Sequence, residues 1–152
     1  MKAITIVLFL AVSSAAGASE LVKLGAVSVH LFYERSGQLS PDITAIKEFG
    51  AHKFHPFGEQ VLDEEIFHSF LIKLSFSAPK ETFEPGLVAT VRLINDKKKE
   101  ILKREIRDLY VPGSGSITKG LWVEGHECEM LDLEVSANGQ TATKRLPFHC
   151  GE

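Results

Sequence analysis

Between Val27 and Tyr33 every second residue is apolar: Val27, Val29, Leu31 and Tyr33 alternate with Ser28, His30, Phe32 and Glu34. A period of two puts one set of side chains on one face of an extended chain. The pattern recurs in Phe70, Ile72, Leu74 and Phe76, set against Leu71, Lys73 and Ser75. It recurs again in Leu87, Ala89, Val91 and Leu93, and in Leu131, Leu133, Val135 and Ala137. Leu121-Trp122-Val123 predicts a short strand, and residues 141–148 predict the last one. Turn formers separate the runs: Pro79, Pro85-Gly86, Asn95-Asp96, Pro112-Gly113-Ser114-Gly115 and Asn138-Gly139. Short alternating strands with such punctuation predict an all-β chain. The expected architecture is an antiparallel immunoglobulin-like β-sandwich of about seven strands.

Two stretches resist the period. In residues 99–110, Leu102, Ile106, Leu109 and Tyr110 fall at helical spacing among good helix formers. The segment directly follows a strand and the Asn95-Asp96 turn, so the return arm of a hairpin is the expectation, because a sandwich needs a partner strand there. Residues 36–60 show no clear period. Pro41, Pro56 and scattered aromatics mark one long irregular connection. Its apolar residues Leu39, Ile43, Ile46, Phe49, Phe54 and Phe57 are expected to pack on the sandwich.

The chain's end can be read to the level of register. Asn138-Gly139 favours a two-residue type I′ turn, because both central positions need positive φ. Ala137 then pairs with Gln140, Val135 with Ala142, Asp132 with Arg145 and Leu131 with Leu146, apolar with apolar and charge with opposite charge. The same count sets Cys128 opposite His149, one residue short of Cys150. A bulge near Glu129-Met130 or at Pro147 would bring Cys128 and Cys150 into bridging range.

Composition adds the compartment. Met1-Lys2, the apolar run through Val12 and the small residues Ala16-Gly17-Ala18 make a secretory signal over residues 1–18, with cleavage after Ala18. Residues 19–152 are then a single domain, large enough for its own core. The apolar run is short for a membrane span and no later segment supplies one, so no membrane anchor is expected. The net charge of -3 gives nucleic acid no basic surface. Export to an oxidising compartment makes Cys128–Cys150 a disulfide.

Candidate chemistry is sparse. His126, Cys128, His149 and Cys150 meet at the open end of the closing hairpin and could hold copper or zinc only with both thiols reduced. His52-x-x-His55, with His68 further on, is the other histidine group; with Phe49, Phe54 and Phe57 beside it, the preferred reading is a packed loop rather than a metal site. No metal and no cofactor is expected. Nucleophile elbow, His-Glu-x-x-His, phosphate loop and dinucleotide fingerprint are all missing, so no catalytic residue is assigned and the chain is not read as an enzyme. Trp122 is taken as a core aromatic.

The run Leu31-Phe32-Tyr33-Glu34-Arg35-Ser36-Gly37-Gln38-Leu39-Ser40-Pro41-Asp42-Ile43 opens the domain. Leu121-Trp122-Val123, Cys128, Gly139-Gln140 and Phe148-His149-Cys150-Gly151-Glu152 close it. With the signal sequence, these stretches resemble a group of small exported bacterial proteins of unknown function. The resemblance implies a sandwich-like fold and, for a bacterial source, a periplasmic or secreted location. It implies no site residues. The functional expectation is a non-catalytic binding or structural module whose partner is an envelope protein. The alternative is a periplasmic protein binding copper or zinc through its histidines.

Overall fold

The computed structural model describes residues 22–46, 67–125 and 129–148. Eight antiparallel strands follow in order: β1 (Lys23–Tyr33), β2 (Gln38–Leu39), β3 (Ser69–Ser77), β4 (Thr82–Asn95), β5 (Glu100–Val111), β6 (Ser116–Glu124), β7 (Met130–Ala137) and β8 (Gln140–Pro147). A 3-10 turn, Ile43–Ala45, follows β2. The first sheet has the order β2-β1-β3-β6 and the second β5-β4-β7-β8. With the two-residue β2 set aside, seven strands divide three and four in an immunoglobulin-like sandwich. The constant-type immunoglobulin arrangement puts its fourth strand beside the fifth. Here the equivalent strand, β5, stays with its hairpin partner β4.

The alternating rows seen in the sequence make the core. Val29, Leu31, Phe70, Ile72, Leu74, Val91, Leu93, Leu131, Leu133 and Val135 are fully buried. Burying one such side chain is worth about 1.5–3 kcal/mol. Gly120 on the outer face of β6 leaves room for Leu71, whose Cδ1 would lie 3.2 Å from any β-carbon at that position.

Residues 100–111 are strand, and the helical spacing has a geometric cause. Leu102, Arg104 and Ile106 face inward opposite Leu93, Val91 and Ala89. The register then shifts between Glu84 and Val88, and Asp108 takes a positive φ of 52°. This irregularity flips the phase, so Leu109 and Val111 become the buried residues. A polar residue at 104 and one phase flip turn a two-residue period into apparent spacings of four and three.

The closing hairpin has the expected register: Ala137 with Gln140, Val135 with Ala142, Asp132 with Arg145 and Leu131 with Leu146. Asn138 and Gly139 both take positive φ. Pairing continues unshifted to Met130 and Pro147, so no bulge falls at either residue. Cys128, Cys150 and residues 1–18, expected to form a secretory signal, lie outside the described residues.

Three local expectations change. Pro85-Gly86 is no turn between strands; it lies inside β4, where Gly86 at φ 90° belongs to the irregular pairing with β5. The short strand at Leu121-Trp122-Val123 is the end of a nine-residue strand. Of the long connection, Ile43 is buried, whereas Leu39 and Ile46 are exposed; Phe49, Phe54 and Phe57 lie outside the described residues.

Candidate functional site

Among the described residues, the outer face of the first sheet carries a cluster of exposed and half-buried apolar side chains. Because β1, β3 and β6 bury one row each, their alternate rows point outward. Cross-strand pairing then lines up His30, Leu71 and Trp122 in one rank, and Leu39, Phe32, Ser69 and Glu124 in the next. The small Ser69 side chain leaves space for Phe32 and Trp122 to meet over β3. Their ring centroids are 5.0 Å apart at an interplanar angle of 65°, an edge-to-face contact. Trp122 remains 41% exposed and Leu39 42%.

Trp122 is therefore not a core aromatic. Ile117, Leu121 and Val123 occupy the inward row of β6, which sends every even residue of that strand outward. The alternation around Trp122 already carries this information, and extending the short strand by four residues toward the N-terminus exposes it.

The edge of the same sheet beside β1 is closed by side chains. Ser40 N–H donates to the Leu31 carbonyl at 2.9 Å, and the Leu31 amide donates to Ser40 Oγ at 2.9 Å. The Val29 amide donates to Asp42 Oδ1 at 2.9 Å. That same oxygen accepts from the Thr44 amide and the Thr44 hydroxyl, capping the 3-10 turn. His30 Nδ1 donates to the Ser40 carbonyl at 2.8 Å, since a carbonyl can only accept, and its Nε2 sits 3.0 Å from Ser28 Oγ. A second aromatic pair, Phe83 and Tyr110, sits on the outer face of the second sheet. There the Tyr110 hydroxyl donates to Glu81 at 2.7 Å, which ties that ring to a charged surround.

A cavity of about 430 Å³ opens between the β4–β5 turn and the end of β6. Leu93, Leu102 and Val123 line its apolar side, and Asn95, Lys97 and Lys99 its polar side. The Asn95 side chain is fully engaged: its amide nitrogen donates to Glu129 at 3.0 Å and its oxygen accepts from the Lys99 amide.

Of the histidines proposed as metal ligands, His68 alone is described. It is exposed and faces one carboxylate, Glu34, at 3.2 Å. No group of three or more histidine, cysteine or acidic side chains is placed to hold a metal ion among the described residues. His52, His55, His126 and His149 lie outside them, as do Cys128 and Cys150. No helix among the described residues is long and apolar enough to cross a membrane. No protein-family model matches the chain, and no curated protein matches it.

Proposed function

We propose that the protein is an exported, non-catalytic binding module that engages a protein partner of the bacterial envelope, in the periplasm or after secretion. The observation behind this reading is the apolar cluster of Leu39, Phe32, Leu71 and Trp122 on the outer face of the first sheet. Exposed tryptophan and phenylalanine on a rigid strand surface are typical contact residues of protein interfaces. Polar neighbours frame the cluster on both sides, with Glu124 in one rank and His30 in the other.

Affinity capture from envelope extracts tests the reading. The parent protein should recover one reproducible partner, and Trp122→Ser combined with Leu39→Ser should lose it, while Phe83→Ser on the opposite sheet should keep it. Equal recovery by all three proteins would exclude the cluster as the contact surface. Metal content measured on protein purified without a histidine tag addresses the alternative reading. Stoichiometric copper or zinc would move the assignment to the histidines.

A further inference from the structure

The edges of the two sheets are guarded unequally. The Ser40–Asp42 clasp closes β1, β8 ends in Pro147, and β5 is charged along its length and broken at Asp108. Among the described residues, the outer edge of β6 carries no clasp, no proline and no break; its one guard is the inward charge of Lys119. At the two ends of the β3–β6 ladder, the Gly125 amide donates to the His68 carbonyl and the Ala78 amide to the Gly115 carbonyl. Both contacts share the register that joins Phe70 with Val123. Odd-numbered residues of β6 therefore bond to β3. The N–H and C=O groups of Thr118, Gly120 and Trp122 point away from the sheet, ready to pair with another strand.

The seam below this edge has a defined chemistry. Lys119 pairs across with the buried Leu74 and Arg104 of β5 with the buried Val91, so both cations stand in core-facing rows. Neither row, on β5 or on β6, contains a carboxylate. Lys119 has no ion-pair partner among the described residues. A second copy of the same edge would bring a second Lys119 to the seam. Toward the other end of β6, Val123, Leu102 and Ile101 form the apolar side of the cavity, whose rim carries Lys97, Lys99, Glu124 and Glu129.

We infer that β6 receives an extended segment of the protein partner by strand addition, and that this segment carries aliphatic residues at two alternate positions and a carboxylate at the next alternate position. The aliphatic side chains lie opposite Val123 and Leu121, facing the cavity and the core. The carboxylate lies opposite Lys119. The intervening side chains emerge on the outer face beside Trp122 and Gly120, which joins this edge to the aromatic cluster. The inference rests on the partner-binding reading above and adds how the partner is held.

A displayed library of random peptides about ten residues long, a strand's length, selected on the mature protein, tests the inference. Enriched peptides should show the aliphatic-x-aliphatic-x-acidic pattern in either chain direction. Thr118→Pro removes an outward N–H that β3 does not use and should weaken these peptides about tenfold or more. Lys119→Glu, which leaves the backbone edge intact, should weaken them similarly and select a basic residue in place of the acidic one. Amide exchange at Gly120 and Trp122 should slow when peptide binds. Selection of no peptide above the level of an unrelated sandwich overturns the inference, as does selection of peptides indifferent to both variants. An envelope partner that stays bound to Thr118→Pro and Lys119→Glu but leaves Trp122→Ser would retain the binding reading and reject strand addition.

Discussion

Asp42 Oδ1 lies 2.9 Å from the Val29 amide nitrogen, so a carboxylate takes the place that a neighbouring strand would hold along β1. One oxygen also accepts two bonds from Thr44. The Ser40-Pro41-Asp42 run thus satisfies the edge of the first sheet and turns the chain away from it.

Replacing Asp42 with alanine should strand the Val29 amide and uncap the turn. The expected loss is about 1–3 kcal/mol, the cost of an unsatisfied buried donor plus a cap. Ser40→Ala, which affects Leu31 in the same way, should cost about 1 kcal/mol. Urea denaturation of both variants checks this. Midpoints equal to the parent's would show that water serves the edge equally well.

Trp122 and Phe70 should respond unequally to truncation despite their shared aromatic character. Phe70 is fully buried, so Phe70→Ala should cost about 3–5 kcal/mol. Trp122→Ala loses an edge-to-face contact and partly exposed area, and about 1 kcal/mol is expected. Thermal melts of the two variants give the comparison. A loss at Trp122 as large as that at Phe70 would place Trp122 among the residues that hold the fold rather than on a contact surface.

Most of the sandwich is legible in the sequence because its strands bury one face only. Val27 to Tyr33 and Leu131 to Ala137 announce their inward rows without ambiguity, and Asn138-Gly139 determines the register of the last hairpin. Legibility fails where the period is interrupted. In β5 an inward arginine and the phase flip at Asp108 imitate a helix. In β6 only the end nearest Trp122 looks like strand, because Lys119 breaks the inward apolar row and Gly120 is a poor strand residue, and the outward direction of Trp122 is lost with them. The contact between Phe32 and Trp122 depends on β1 and β6 flanking β3, a long-range pairing that no local pattern encodes.

Across the closing hairpin, Arg145 Nη1 donates to Asp132 Oδ1 at 2.6 Å, and a second Arg145 nitrogen bonds Asp96. The Arg145 hydrogen bond, with its charge and that of Lys98, holds the Asp132 carboxyl below the usual carboxylate range. A depressed pKa contributes stability that is full above the unfolded-state value, about 4, and fades as pH falls through the folded-state value. The Arg145 side chain is more than a third exposed, so solvent screening limits the gain to under about 1 kcal/mol. Asp132→Asn should therefore be slightly less stable than the parent at pH 7 and indistinguishable from it near pH 2. A difference that grows on acidification would reverse the assigned sign.

The unshifted ladder through Met130 and Pro147 brings the chain ends that lead to Cys128 and Cys150 close together. A bridge between them would close a loop of some twenty residues, worth about 3 kcal/mol by the loop-entropy relation. Thiol titration of the denatured, unreduced protein should find no reactive thiol. Two per chain would refute the bridge and make both sulfurs candidate metal ligands again.

The most direct measurement is made in living cells. A photo-crosslinking amino acid placed at position 122 should trap one discrete partner protein, and the adduct should disappear when Leu39→Ser and Phe32→Ser are added. The same group placed at Thr143, on the outer face of β8, should trap nothing of comparable yield. Absence of any adduct at position 122, or equal adducts at 122 and 143, would contradict the claim that the outer face of the first sheet is the binding surface.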